Sequence, residues 1–352
     1  MNLADKLKEF MAKQQTTEPT TISESVLLVD GLNRYMSCFA ATPTMNDNGD
    51  HIGGITGFLK SLGMTIRRFK PTRVVIVFDG KGGSQYRRGL FKDYKSQRKT
   101  MTKLNRTYGF DSLESEHNSQ KWQLITLVEM LRCLPLTVMA PENVEADDAL
   151  AYLAQEISSR GSKVILMSSD KDFLQLVNED ITVWNPVTEV MYNADRVVEK
   201  YGIHPHNFLL YRAITGDKSD NIPGIDGIKE KTLAKYFPQL RDDVPRDIDY
   251  LITEAQRMVE ATKKPPVALK TLLDGKDQLE LNFKLMRLDD VAMSGATRIK
   301  VLDAYDAPPT HLNKLDLIRL LTSIRAMSAF GRFDDWIAST FLQLHWFATR
   351  EK

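Results

Sequence analysis

The sequence predicts an α/β protein with a mostly parallel central sheet, followed by a region built only of helices. Three observations carry this. Five short runs, SVLLVD (25–30), RVVIVFD (73–79), LTVMA (136–140), KVILMSSD (163–170) and ITVWN (181–185), are apolar and rich in β-branched residues, which suits strands buried on both faces. Helical stripes lie between them: Leu124, Leu127, Val128, Leu131 and Leu134 form one, and Leu150, Leu153, Ala154 and Ile157 another. Strands alternating with helices imply crossover connections and parallel pairing. After about residue 205 the strand signal stops and helical spacing takes over.

At the N-terminus, Leu3, Leu7, Phe10 and Met11 sit at helical spacing, so a short amphipathic helix is expected over Met1–Phe10, joined to the body by the polar tether Gln14–Ser25. Near the other end a helix is expected from Leu312 to Met327, with Leu317, Leu320, Leu321 and Ile324 on one face and Pro308-Pro309-Thr310 as its start signal. No internal repeat is visible.

Bulk properties exclude several classes. The chain has 352 residues, 42% hydrophobic and 26% charged, which is ordinary for a globular protein with one or two domains. Its two cysteines, Cys38 and Cys133, are too few and too far apart for a disulfide framework or a zinc site, which points to a reducing compartment. No apolar run reaches the roughly 18 residues of a membrane helix. Asp5, Lys6, Lys8 and Glu9 stand where a signal peptide would be apolar. A cytoplasmic protein without membrane association is expected.

The net charge of +1 hides an asymmetry. Between His51 and Arg106 there are 14 Lys or Arg residues against two acids, Asp79 and Asp93. Tyr86, Phe91, Tyr94 and Tyr108 are interleaved with these cations. Cations that meet phosphates and rings that stack on bases point to nucleic acid.

The acids have a pattern of their own. In open α/β sheets, ligands bind beyond the carboxyl ends of the strands. Asp30 ends the first run and Asp79 the second; Glu145, Asp147 and Asp148 follow the third and open a helix; Asp170 and Asp172 follow the fourth. Asp217 and Asp220 come later, three apart, a spacing that would put them on one face of a helix. Nine carboxylates at one sheet edge would repel one another and force some to protonate unless cations neutralised them. Oxygen-only ligation, without His or Cys, suits hard ions such as Mg²⁺ or Mn²⁺. Two such ions can activate water and clamp a scissile phosphate, so the residues themselves point to metal-assisted phosphodiester hydrolysis.

Seven motifs then stand in order: LLVDG (27–31), FDG (78–80), YR–LFKDYKSQR (86–98), VEADD (144–148), SSDKDFLQL (168–176), YGIHP (201–205) and ITGDKSDNIPGIDGI (214–228). Their order and spacing, over about Val26 to Leu288, resemble the flap endonucleases and 5′–3′ exonucleases. The resemblance implies a PIN-like 5′ nuclease domain over 25–205 behind an N-terminal extension over 1–24. It also implies a helical arch at about 84–118, a helix-hairpin-helix region over 206–290 and C-terminal helices over 291–352. One metal would be held by Asp30, Asp79, Glu145, Asp147 and Asp148, and a second by Asp170, Asp172, Asp217 and Asp220. Tyr94, Lys95 and Arg98 would lie in the arch, where a cation positioned on the reacting phosphate is worth roughly 2.7–4 kcal/mol. Arg87, Arg88 and Lys92, with Gly224, Gly227, Lys229 and Lys231 of the IPGIDGI hairpin, would bind DNA. The hairpin amides would meet phosphates without reading bases, and family hairpins often hold K⁺. Substrates implied are DNA with 5′ flaps, nicks or RNA–DNA primer junctions, cut by a monomeric, stand-alone enzyme of DNA replication.

Departures from the family pattern bear on this. Ser37 stands where many relatives carry Arg, with Arg34 nearby, as in the T-even phage ribonuclease H branch, which implies a phage enzyme that removes RNA primers. Lys229 and Leu233 replace a common Gly and Ala of the hairpin and weaken the case for K⁺. The aromatic-rich segment 328–347 lies outside the resemblance; packing on the body is expected of it, with docking to a sliding clamp or single-strand-binding protein as the other reading. Two rival functions are a PIN-like endoribonuclease, which would not need the hairpin, and a non-catalytic binder of branched DNA, which should have lost several acids. None of the nine is missing.

Overall fold

The computed structural model describes residues 24–99, 102–290 and 293–349, with Arg98 and Lys99 described by their backbone alone. The helix expected over Met1–Phe10 lies outside the described residues. Six strands, β1 (Ser25–Asp30), β2 (Arg73–Val77), β3 (Thr137–Met139), β4 (Lys163–Met167), β5 (Ile181–Asn185) and β6 (Val190–Tyr192), pair in the order β3-β2-β1-β4-β5-β6. Every pair is parallel except β5–β6. The first five strands lie in the five apolar runs. The sixth was not anticipated, because three residues are too short for a period. It forms because the Asn185 carboxamide oxygen accepts the N–H groups of Val187 and Thr188, and Glu189 at φ 54° turns the chain back onto β5.

The helices are α1 (Gly31–Ala41), α2 (Gly53–Phe69), α3 (Gln85–Leu90), α4 (Leu113–Leu131), α5 (Ala146–Ser159), α6 (Ala194–Tyr201) and α7 (Phe208–Thr215). They continue with α8 (Glu230–Tyr236), α9 (Ile248–Glu260), α10 (Val267–Asp274), α11 (Lys276–Met286), α12 (Gly295–Asp306), α13 (Lys314–Ser323) and α14 (Phe333–Thr349). Alternation along β1 divides them into two layers. Val26 and Leu28 face a core shared with α5 and with α6 to α12, whereas Leu27 and Val29 face α1, α2, α4, α13 and α14. All four side chains are fully buried, and each contributes roughly 1.5–3 kcal/mol relative to exposure. The helices beyond residue 205 thus complete both faces of the sheet.

The helix expected over 312–327 is shorter, because Asn313 caps it by accepting the Asp316 N–H and a 3₁₀ turn at Met327–Phe330 takes over its end. The aromatic segment that follows packs on the body: Phe330, Phe333, Ile337, Phe341 and Leu344 are buried in the second core. Gly63 permits the close approach, since a Cβ there would lie 2.9 Å from Nε1 of Trp336. Among the described residues no helix is long and apolar enough to cross a membrane.

The segment expected to form a helical arch at about 84–118 is different. Its described residues hold the six-residue α3, a 3₁₀ turn at Ser96–Lys99, an irregular stretch and the start of α4. That stretch is held down by buried polar groups. The Glu116 carboxylate accepts the N–H groups of Leu104 and Asn105 at 2.8 and 2.6 Å, and the Asn105 amide reaches Phe39 O and His51.

Candidate active site

The chain lays β2 and β3 on one side of β1, then crosses over to lay β4 on the other. The crevice beyond the carboxyl ends at such a switch point is where open α/β sheets bind ligands. Asp30 ends β1 there. One of its oxygens accepts the Asn33 N–H at 3.0 Å and caps α1, while the other accepts the Ser168 hydroxyl at 3.0 Å. Burial pushes this carboxyl up to about 7, against the two hydrogen bonds and with help from Asp170 and Asp79. Asp79, two residues past β2, is exposed and accepts the Ala146 N–H at 2.8 Å, which ties it to the start of α5. The next residue must be glycine, because a Cβ on Gly80 would stand 1.6 Å from Pro141 O.

Glu145 is the residue before α5, and Asp147 and Asp148 occupy its first turn. Burial, and then Asp30 and Asp170, raise Asp147 well above the carboxylate range. Asp172 is pushed up to about 7 by burial and Asp170, with Arg212 opposing. Three acids from three strand ends thus share one crevice in which burial and mutual repulsion disfavour their charged forms, an arrangement that cations would relieve. Among the described residues no three of these carboxylates bring oxygens within 4.8 Å of one another.

Basic side chains already neutralise part of the cluster. Lys95 Nζ lies 2.6 Å from Glu145 Oε1 and 3.9 Å from Asp220 Oδ2. Burial alone would lower its pKa, but Glu145, Asp220 and Asp147 together raise it, so it stays charged. The Tyr94 hydroxyl is 3.0 Å from Glu145 and 3.2 Å from Asp220, and burial and then Glu145 keep it protonated. Burial favours protonation of Glu145 too, yet Lys95 and Arg87 outweigh it and hold this carboxyl below its usual value. Lys95 adopts a left-handed backbone at φ 54°, and its N–H donates to Asp220 O at 2.9 Å. A non-glycine residue held there carries strain, which clusters at functional sites.

Two expectations need correction. Arg87, expected on the DNA, is buried: its guanidinium donates to Glu145 at 2.5 Å and to both oxygens of Asp148 at 2.7 Å. Both oxygens of Asp148 accept from Arg87, which makes the two a buried ion pair beside Glu145. Asp217 and Asp220 do not share a helix face. Gly216, at φ 69°, ends α7, and a two-way backbone bridge between Asp217 and Ile222 closes a turn that holds both acids. Sequence reasoning also missed Arg212, which donates to Asp172 and to Asp217 at 2.5 Å each. Its signal was a lone charge in the apolar helix FLLYRAIT. Of the arch residues, the Arg98 side chain lies outside the described residues.

The remaining expected DNA contacts, Arg88, Lys92, Lys229 and Lys231, are exposed. The hairpin joins α7 to α8. A Cβ on Gly224 would stand 2.5 Å from Thr215 O, and Gly227 turns at φ 76°. Gly224→Ala is expected to cost roughly 1–3 kcal/mol by overpacking against a fixed backbone. It should also weaken duplex binding; a thermal unfolding midpoint and a binding titration check the two effects.

Comparison with known proteins gives the following. Residues 25–202 match the family model described as 5′–3′ exonuclease, N-terminal resolvase-like domain. A 5′–3′ exonuclease of Aquifex aeolicus is 35% identical over 266 residues, covering 75% of this chain and 82% of that protein. DNA polymerase I of Bacillus caldotenax is 29% identical over 302 residues, covering 81% of this chain and 31% of the polymerase. Among solved structures, a bacteriophage T5 flap endonuclease in a complex with DNA and metal ions superposes with a TM-score of 0.60 at 18% identity, covering 86% of this chain and 98% of that one.

Proposed function

The chain belongs to the 5′–3′ exonuclease family, and from that premise we propose that it is a structure-specific 5′ nuclease that cuts with the help of divalent cations held at the β1–β4 switch point. The observation that carries this is that Asp30, Asp79, Asp147 and Asp172 all lie at or follow the carboxyl ends of neighbouring strands, where burial and mutual repulsion raise Asp30, Asp147 and Asp172. The donors are all oxygens, which fits Mg²⁺, with Mn²⁺ as a substitute. Asp30, Asp79, Asp147 and Asp170 would hold one ion, and Asp172, Asp217 and Asp220 a second. Ions held there would supply Lewis-acid polarisation of the phosphate and of its attacking water.

The protein's own groups do the rest. Lys95, charged and set between Glu145 and Asp220, offers its ammonium to the phosphate being cut. The Tyr94 hydroxyl lies between Glu145 and Asp220 and shares its one proton with them. Arg87 and Asp148 orient Glu145 from behind. Arg212 spans Asp172 and Asp217 and so couples a strand-end acid to the turn that precedes the hairpin. Arg88 and Lys92 on one side, and the hairpin with Lys229 and Lys231 on the other, track the DNA backbone by charge, without base contacts.

Labelled 5′-flap, nicked and RNA–DNA hybrid substrates test the reading. Cleavage is expected in Mg²⁺ and Mn²⁺ and none in excess EDTA, with Ca²⁺ supporting binding without turnover. Full cleavage in EDTA would overturn it. The hybrid arm measures primer removal directly.

A further inference from the structure

Apart from the acidic cleft, one cluster has the composition and spacing of a metal site. His204, His206 and Asp243 offer ligand atoms within 4.8 Å of one another, the one such trio found among the described residues. Nδ1 of His204 and Nδ1 of His206 stand 3.5 and 2.9 Å from Oδ1 of Asp243. Around a tetrahedral ion with bonds of about 2.0–2.1 Å, neighbouring donors sit about 3.3 Å apart. The trio is therefore close to coordinating distance already. A surface ion pair would need one imidazole. Here two rings, 4.9 Å apart between centroids, bring Nδ1 near the same oxygen, and Nδ1 of His204 also accepts the His206 N–H in a long bond of 3.4 Å that an ion would replace.

The framework behind the trio is built for position. Asn207 is fully buried, and its amide donates to the carbonyls of Leu240, Asp242 and Val244 at 3.2, 3.3 and 3.1 Å. Its oxygen accepts the Arg246 N–H at 2.8 Å, and the His204 N–H donates to Leu240 O at 2.8 Å. These bonds fasten the turn that carries both histidines to the loop that carries Asp243, although 37 residues separate Asn207 from Val244. The ligand side remains open. The side chains of His204, His206 and Asp243 are 13%, 43% and 71% exposed, which leaves room for water in the remaining coordination positions.

We propose that His204, His206 and Asp243 bind a divalent transition-metal ion of the zinc class at a surface site that shares no residue with the acidic cleft. Two imidazole nitrogens and one carboxylate favour such an ion over Mg²⁺ or Ca²⁺, whereas the oxygen-only cleft favours the hard ions. The bound ion staples the segment after α6 to the loop after α8, which is the helix that leaves the DNA-binding hairpin.

The test is a calorimetric Zn²⁺ titration of the whole chain under saturating Mg²⁺, with Co²⁺ absorbance as a probe of imidazole ligation. The unaltered chain should bind one more zinc than His206→Ala or Asp243→Asn. The site's affinity should fall by at least roughly 100-fold in either variant, since each loses a direct ligand and loss of an orienting partner alone costs roughly 10–100-fold. Zinc should raise the unfolding midpoint of the unaltered chain and not of the variants. Metal-free midpoints compare the folds, and the isosteric Asp243→Asn serves if His206→Ala is perturbed. Zinc uptake equal in stoichiometry and affinity across all three proteins would place the ion in the acidic cleft and overturn the proposal.

Discussion

Asp30→Asn is expected to lower flap cleavage by roughly 10³-fold while making the metal-free protein more stable at pH 8. Loss of activity follows from removing a buried charge at the point where β1 meets the proposed ions. The gain in stability follows from linkage. The folded carboxyl titrates at about 7 against a reference of 3.8, so the folded state binds this proton more tightly than the unfolded chain does. Its contribution is fully present below pH 3.8 and is lost as pH rises through 7. Ionising Asp30 in the folded, metal-free protein then costs on the order of 4 kcal/mol. Asparagine carries no such charge, and it can still accept from Asn33 and donate to Ser168. Urea unfolding in EDTA at pH 5 and pH 8 measures the difference, and the advantage of the variant should grow with pH. An equal change at both values would place the effect in packing instead.

The second large effect is expected at Lys95. A lysine that only gripped duplex phosphate would, when replaced by Ala, weaken binding on every substrate and reduce the salt slope by about one unit. Lys95 is instead buried against Glu145, with Asp220 next to it. Lys95→Ala should therefore lower the single-turnover rate at saturating DNA by roughly 10²–10³-fold. A second readout follows from Glu145, whose carboxyl Lys95 and Arg87 hold down against burial. Without Lys95 that carboxyl rises, so the acid limb of the rate profile should move to higher pH. Weaker binding with an unchanged saturating rate would move Lys95 from the cleft to the DNA track.

Much of this architecture was legible in the sequence because its strongest signals are local. An apolar run ending in Asp gives both a buried strand and an acid at its carboxyl end, and β1 and β4 with their acids follow that rule. Glu145, Asp147 and Asp148 were likewise readable as the opening of a helix. The turn at 217–222 could have been read as well, since Gly, Asp, Ser and Asn are turn formers, but the spacing of the two acids suggested a helix face. Arg87 misled because an arginine in a basic stretch looks like a surface cation until Glu145 and Asp148, far along the chain, are folded against it. Arg212 and the His204–His206–Asp243 trio depend on partners brought close only by tertiary packing. The three residues of β6 carry too little pattern to count.

The position of β1 between β2 and β4 has a consequence for the chain during its own synthesis. Asp30 and Asp79 emerge early, but the strand that completes the crevice ends at Met167, and the turn with the last acids lies at 217–222. At roughly 5–20 residues per second, Asp220 leaves the ribosome about 10–40 s after Asp30. A nascent chain in that interval has first no crevice and then, once β4 is out, a crevice without Asp217 and Asp220. Translation thus sets the order in which the crevice is assembled, and its set of acids is complete only once the turn at 217–222 has emerged.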